Sequence, residues 1–498
     1  SRLSIFAGSF ELDAAEQICG SGLDAEELLD AVASLVDKSV LIREESGTVV
    51  RFRMLETLRD YGREKLLQSG EYRQLQRRHL DWYEQLALAA EAEWISARQL
   101  DWIARLGREQ SNLREALELC MTDTPDTGLR IAAALFPFWL SQSLFGEGRR
   151  WLDRLLAQDL ERPTVERVKA LYADSMLAEL QGEIPVGVAL VEEGRALAEQ
   201  SADSVIHALV AYSDGALALF SGDLRRAASR LQRALEMFGA REGHGHLLRI
   251  GALHMLGMAH ELLGEMDHAF ECYEQVLAIT EARGESMYRA YVLWGMGVVV
   301  WRRGDAVQAA RQLEQSLRLA RQVNNPRTVA TCLEVLAWIS AGEGDAHRAI
   351  VLMAAAEELG NSIGSLAVVF PTMLVDHEKC ERSSRRVLGE RACEAARSEG
   401  RRLGLDAAVA YALGERVPGP PASTGGTSPK LTKRERQVAG LVTEGLTNKE
   451  IAARLVISPR TAQGHVEHLL TKLGFTSRAQ IAAWLVRSCG VPGRGLGG

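Results

Sequence analysis

From about residue 160 to 358, apolar residues recur at helical spacing in blocks, and the blocks themselves recur. A glycine followed by an acid stands at 182, 222, 264, 304 and 344, at intervals of 40, 42, 40 and 40 residues. Seven residues before each glycine comes a small residue: Ser175, Gly215, Gly257, Gly297 and Ala337. Five residues after it comes another: Gly187, Ala227, Ala269, Ala309 and Ala349. Amphipathic stretches such as RRAASRLQRALEMF and HAFECYEQVLAIT flank these positions. The pattern predicts two helices joined at a turn whose glycine ends the first, with small residues where the paired helices approach closely. A fixed period of this length predicts a stacked α-solenoid. FPFWLSQSLFGEGRRWLDRLLA at 136–157 reads as a degenerate earlier unit, and 389–415 as helices that cap the far end.

The pattern changes at both ends of the chain. Residues 23–66 give a helix, the stretch SVLIREE, a turn at Ser46-Gly47, the stretch TVVRFRML and another helix. Helix, hairpin, helix predicts a winged helix over 1–70. Its helix in the recognition position carries Asp24, Glu26, Glu27, Asp30 and Asp37 against Lys38 alone, a face that phosphates would repel.

At the C-terminus, four helix starts are marked by local chemistry. Thr432 with Glu435, Thr447 with Glu450 and Ser477 with Gln480 have the capping-box spacing, and Ser458-Pro459 marks the remaining start. Gly445 and Gly474 stand where helices should stop. The inward faces supply a core of Val438, Leu441, Val442, Ile451, Ala452, Leu455, Val466, Leu469, Leu470, Leu473, Ile481 and Trp484. A short helix, a tight turn at Val456-Ile457 and a longer helix with one polar face predict a helix-turn-helix, its third helix sized for a DNA major groove.

Length and charge sharpen this picture. At 498 residues the chain exceeds what one core supports, so several domains are expected. The segment VPGPPASTGGTSPK at 417–430 holds four of the twelve prolines and reads as an extended linker. Residues 430–487 carry ten Lys and Arg against four acids, a net of +6, while the whole chain is −8 and the remainder therefore −14. A basic module on an acidic body is the asymmetry of a tethered nucleic-acid binder. The seven cysteines are scattered with no CxxC pair, which suggests neither a disulfide framework nor a zinc site and fits a reducing cytoplasm. The longest apolar run, 290–301, is too short to span a bilayer, and no cationic-then-apolar leader opens the chain.

The repeats resemble the tetratricopeptide repeat with a period about six residues longer than usual. The stretch LTKRERQVAGLVTEGLTNKEIAARLVISPRTAQGHVEHLLTKLGFTSRAQ at 431–480 resembles the LuxR-type DNA-binding domain, densely so at LTxRE, EGLTNKEIA, IS, RT, HV and KLG. Residues 1–120 are similar to the winged-helix and linker part of large ATP-binding regulators that end in this domain. In those regulators an ATPase domain comes first. The chain contains no GxxxxGK[ST] and no initiator Met, so it is expected to be a piece of a longer protein that binds no ATP itself and needs no cofactor or metal. The resemblance also implies DNA contacts. Lys449, Ser458, Arg460 and Thr461 would hold phosphates near two helix N-termini, where the helix dipole favours anions. Gln463 would read a base, with Gly464 and Glu467 on the same face; His465, His468, Lys472 and Arg478 complete the expected interface. The last helix, 478–487, is where such domains dimerise.

Rival readings are weaker. HGH at 244–246 and the histidine pair of HVEH at 465–468 lack a third ligand, and neither HExxH nor GxSxG occurs, so an enzyme is not expected. A pure scaffold that binds peptides on its repeats leaves the basic C-terminal module unexplained. Trp294, Trp301 and Trp338 are candidates for a ligand groove but read first as packing residues. The expectation is thus a mostly all-α protein: winged helix (1–70), helical connector (71–159), tetratricopeptide-like repeats (160–358), helical cap (359–416), linker (417–430) and helix-turn-helix (431–490). Its partners would be promoter DNA, an effector ligand or protein on the repeats, and no membrane.

Overall fold

A computed structural model describes residues 1–22, 24–46, 49–158, 164–239, 245–363, 371–415, 432–443, 446, 448–455, 457, 464–466 and 469. The chain divides into two compact units, Ser1–Val417 and Pro418–Gly498.

The first unit opens with the expected helix-hairpin-helix. Helices α1 (Leu12–Cys19) and α2 (Ala25–Asp37) precede an antiparallel ribbon, β1 (Leu41–Ser46) and β2 (Val49–Met54), and α3 (Glu56–Ser69) closes it. The ribbon register pairs Leu41 with Met54 and Ser46 with Val49. Phe10 and Phe52 exchange both backbone hydrogen bonds at 2.9 Å, which ties the segment before α1 to β2. Asp24 caps α2 through a full capping box, accepting from the Glu27 N–H while the Glu27 carboxylate accepts from the Asp24 N–H.

Two long helices follow, α4 (Tyr72–Ala92) and α5 (Gln99–Asp123). They hold the winged helix by a buried polar knot rather than by apolar contact alone. The fully buried carboxylate of Glu109 accepts from Arg51 of β2 at 3.1 Å, from Tyr83 of α4 at 2.8 Å and from Asn112 at 2.8 Å. Asn112 also accepts the Ala7 and Gly8 N–H groups at 2.9 and 3.2 Å. Three side-chain donors answer the buried Glu109 carboxylate, which is the condition for such a cluster to be tolerated in a core.

Helix pairs then stack: α6 (Pro125–Ser141) with α7 (Phe145–Leu156), α8 (Val165–Leu180) with α9 (Ile184–Glu199), α10 (Ser204–Phe220) with α11 (Leu224–Phe238), α12 (Gly245–Leu263) with α13 (Met266–Arg283), α14 (Met287–Arg302) with α15 (Ala306–Val323), and α16 (Pro326–Gly342) with α17 (Ala346–Ser362). Each glycine of the forty-residue period has a left-handed backbone, with φ of 79°, 83°, 81°, 93° and 90° at 182, 222, 264, 304 and 344. That geometry reverses the chain between the helices, and glycine adopts it without a Cβ penalty. The acid that follows serves the second helix: Asp223, Asp305 and Asp345 each accept a backbone N–H three residues on. In the degenerate first pair the reversal falls to Ser143, at φ 54°, where a side chain makes the same turn more costly.

The small residues set the spacing. A Cβ added at Gly215 would stand 2.7 Å from Leu231, one at Gly257 2.5 Å from Tyr273, and one at Gly297 2.9 Å from Leu313. The apolar run of 290–301 becomes the buried interior of α14. No helix among the described residues is long and apolar enough to cross a membrane.

Helices α18 (Pro371–Leu388), α19 (Glu390–Gly400) and α20 (Leu405–Ala412) close the stack. Arg348 donates to the carbonyls of Tyr411 and Ala412 at 3.2 and 2.6 Å, so α17 satisfies the end of α20. The stack also curls back on itself. Gln99, at the start of α5, donates to Glu285 at 2.7 Å and accepts the N–H groups of Ser286 and Met287 at the start of α14. The described cysteines, Cys19, Cys120, Cys272, Cys332, Cys380 and Cys393, are all free and buried, and burial pushes the Cys332 thiol up to about 12.

Candidate nucleic-acid interface

The second unit contains α21 (Lys433–Thr443), α22 (Asn448–Leu455) and helical backbone at 464–466 and 469. The Thr432–Glu435 capping box forms as expected: Thr432 Oγ1 accepts from the Glu435 N–H at 3.2 Å, and the Glu435 carboxylate accepts from the Thr432 N–H at 2.7 Å. Both helices end on a bond five residues back, Leu446 N–H to Leu441 O at 3.2 Å and Ile457 N–H to Ala452 O at 3.0 Å. These bonds satisfy carbonyls that a helix end would otherwise leave open. Arg434 reaches across to the Leu455 carbonyl at 3.2 Å and ties α21 to the end of α22.

Val438, Ala439, Leu441, Val442, Ile451, Ala452, Val466 and Leu469 form one buried cluster, with Leu446, Leu455 and Ile457 packed against it. All but Ala439, Leu446 and Ile457 were expected from the periodicity; the expected core residues Leu470, Leu473, Ile481 and Trp484 lie outside the described residues. Val466 and Leu469 point inward; Gly464 is exposed with nothing within 4 Å of a Cβ position, and His465 is half-buried. Of the other expected DNA contacts, Lys449 lies in α22 with its side chain outside the described residues. Ser458, Arg460, Thr461, Gln463, Glu467, His468, Lys472 and Arg478 also lie outside them.

A second feature belongs to the repeat body and was missed in the sequence. The first helices of successive pairs place aromatic rings on one inner surface around an open hollow. Tyr172, Tyr212, His254 and Trp294 line it and occupy the same register, at intervals of 40, 42 and 40 residues. The signal that would have found them is this ring-bearing register inside the period already noted. Neighbouring rings touch: Phe136 and Tyr172 have centroids 5.4 Å apart, Tyr172 and Tyr212 4.9 Å, His254 and Tyr291 5.5 Å. Of the three tryptophans considered, only Trp294 lines the hollow, while Trp301 and Trp338 pack on each other at 5.3 Å. His244 of the HGH segment lies outside the described residues; among those described, the grouping of possible metal ligands is His260, Glu265 and His268 at the α12–α13 turn.

A helix-turn-helix core at one end and a repeat stack with a winged helix at the other define the class, a DNA-binding regulator with a helical repeat body. Comparison with known proteins agrees. Residues 429–485 match the family of bacterial regulatory proteins of the luxR type, and residues 1–67 match a winged helix-turn-helix domain. A protein described as an HTH-type transcriptional regulator in Mycobacterium tuberculosis is 26% identical over an alignment covering 96% of this chain and 72% of that protein. The spore germination protein GerE of Bacillus subtilis is 43% identical over 61 residues, 12% of this chain and 82% of GerE. A solved signal-transduction ATPase with a tetratricopeptide repeat sensor from Pyrococcus horikoshii is similar over 80% of this chain and 64% of that one, at 12% identity and a TM-score of 0.44. Through its C-terminal domain, the chain belongs to the luxR family of bacterial regulatory proteins.

Proposed function

We propose that the body, 1–416, senses a small ligand or protein and that the linker at 417–430 presents the helix-turn-helix of 431–490 to promoter DNA under its control. The observation that carries this reading is the split of charge, +6 over 430–487 against −14 for the rest, on a chain whose C-terminal core is that of a helix-turn-helix. In this reading Lys449, Ser458, Arg460 and Thr461 hold phosphates, Gln463 and Glu467 meet base edges, and 478–487 forms a homodimer contact. His465, His468, Lys472 and Arg478 flank that surface. The body acts by binding and not by catalysis.

The experiment is anisotropy of the full chain against a selected duplex and a scrambled one at fixed salt. Phosphate contacts act on every sequence alike, so Arg460→Ala weakens binding to both duplexes. Gln463→Ala weakens the selected duplex alone, by ~1–3 kcal/mol for a bidentate pair with a base. Loss of Glu467 separates two roles: tighter binding to all DNA if it only repels phosphates, weaker binding to the selected site if it accepts from a cytosine. If Gln463→Ala and Glu467→Ala leave both affinities unchanged, this helix face does not enter the groove.

A further inference from the structure

Among the described residues that line the hollow of the repeat body, Arg327 is the only ionised side chain, in a wall otherwise made of aromatic, methionine, aliphatic and small neutral residues. Arg327 sits in the first turn of α16, so the N-terminal end of that helix's dipole adds to its positive charge. Several other arginines of this body have a carboxylate: Arg51 has Glu109, Arg149 has Glu183, Arg167 has Glu193. Arg327 has none among the described residues, and its Nε is buried without a hydrogen-bond partner.

Two further polar groups stand in the same wall. The Thr328 side chain is 3% exposed, with the Tyr291 hydroxyl as its hydrogen-bond neighbour. His254 Nδ1 has no partner among the described residues, and burial together with the nearby Arg327 charge pushes that imidazole down to about 3, which keeps it neutral. Buried polar groups are normally satisfied within the protein or by what the protein binds. Arg327, Thr328 and His254 line the same open hollow. The flanking structure holds them in place: Asn325 accepts the Thr328 N–H at 2.9 Å and donates to the Tyr291 hydroxyl at 3.1 Å.

We propose that this hollow binds a small organic acid, a flat apolar body among Tyr212, His254, Tyr291 and Trp294 with a singly charged acidic group on Arg327 and Thr328. The single cation argues against a phosphate ester, whose second charge would have no counterpart. The sparse polar lining argues against an extended peptide, whose backbone amides would lose water without finding partners. The inference rests on the reading that the body senses a ligand, and it names the chemical class of that ligand.

The test uses the full chain and two fluorescent probes that share a ring system, 8-anilinonaphthalene-1-sulfonate and its uncharged analogue N-phenyl-1-naphthylamine. The sulfonate should bind saturably, one per chain. Arg327→Gln should weaken it by roughly 10- to 100-fold, the worth of a charge-assisted hydrogen bond, and move the neutral probe less than about twofold. Thr331→Trp, at the same wall, should block both probes. Phenylacetate should displace the sulfonate and phenylacetamide should not, a result that needs no variant to fold. The assignment is overturned if a folded Arg327→Gln binds the sulfonate as wild type does, if the amide displaces as well as the acid, or if the peptide Gly-Gly-Phe displaces better than phenylacetate. Measuring DNA affinity with the hollow filled keeps the two readings apart. Arg327-dependent binding with unchanged DNA affinity upholds the site and sinks the sensing role. DNA control by some other effector, with no Arg327-dependent binding of the anion, sinks the site alone.

Discussion

The chain carries two helix-turn-helix units, and they differ in the sign of their charge. The winged helix of 1–67 has eight Lys and Arg against thirteen acids, a net of −5. Its arginines are committed to the protein itself: Arg51 to Glu109, Arg53 to Glu44, Arg63 to Glu115, and Arg59 to the Ala7 carbonyl. The exposed side of α2 shows Glu26, Glu27 and Asp30. The C-terminal unit is +6 over 430–487, and its described Arg454 stands exposed. The comparison teaches that a helix-turn-helix outline can carry either charge balance. In the winged helix several guanidiniums are held by carboxylates and a carbonyl of the body, which leaves fewer of them for phosphates.

The sharpest way to break this contrast is to separate the units. Residues 430–498 alone should bind duplex DNA, with a log–log salt slope of roughly −3 to −4 if about four phosphates are neutralised, and 1–415 should not bind it. A salt-insensitive module, or a body that retards DNA in a gel, would refute the charge argument. Next in size is the knot that docks the winged helix. Glu109→Ala takes from buried Arg51 its 3.1 Å carboxylate partner, leaving Glu11 at 4.0 Å, and should cost about 3 kcal/mol in urea denaturation. The 430–498 segment should keep its DNA affinity when measured apart, since the knot belongs wholly to the first unit.

A third prediction concerns His79, fully buried beside Tyr83 with both ring nitrogens unpartnered. Burial, and then the Arg63 charge, push its pKa down to about 3. In the unfolded chain it protonates near its ordinary ~6.5, so unfolding takes up a proton anywhere between those two values. Its contribution is therefore neutral above about pH 6.5 and destabilising below it, by ~1.4 kcal/mol per pH unit until about pH 3. Urea midpoints at pH 7.5 and 5.5 should fall further apart in the wild type than in His79→Phe; equal differences would show that His79 is not the titrating group. The smallest effect is in the C-terminal unit. Thr432→Ala removes half of the capping box of α21 and should cost about 1 kcal/mol of that unit's stability, read from its own thermal transition. No loss would mean that α21 is held by its core alone.

Much of this was written in local pattern. The glycine-acid repeat states where each chain reversal falls, because a left-handed turn favours glycine and the next helix needs a cap. The apolar stripe of 438–469 states the core of the helix-turn-helix, because a helix of that period has only one side to bury. What local pattern does not contain is the meeting of residues far apart in the chain. Arg51, Tyr83 and Glu109 join from three elements, and Gln99 meets Glu285 across 186 positions. Each is an ordinary polar residue until the fold brings the others to it.

The same division holds for the hollow. Tyr172, Tyr212, His254 and Trp294 share a register in the sequence, but whether a ring packs or lines a cavity depends on which side of the stack it faces, and Trp301 and Trp338 were spent on each other. By itself, then, the sequence determined the helical period, the helix ends and the basic C-terminal module, all set by interactions within a few residues or by composition. Only the tertiary structure decided which arginines meet carboxylates and that Arg327 lines an apolar hollow, because a charge is satisfied by whatever lies a few ångströms away in space.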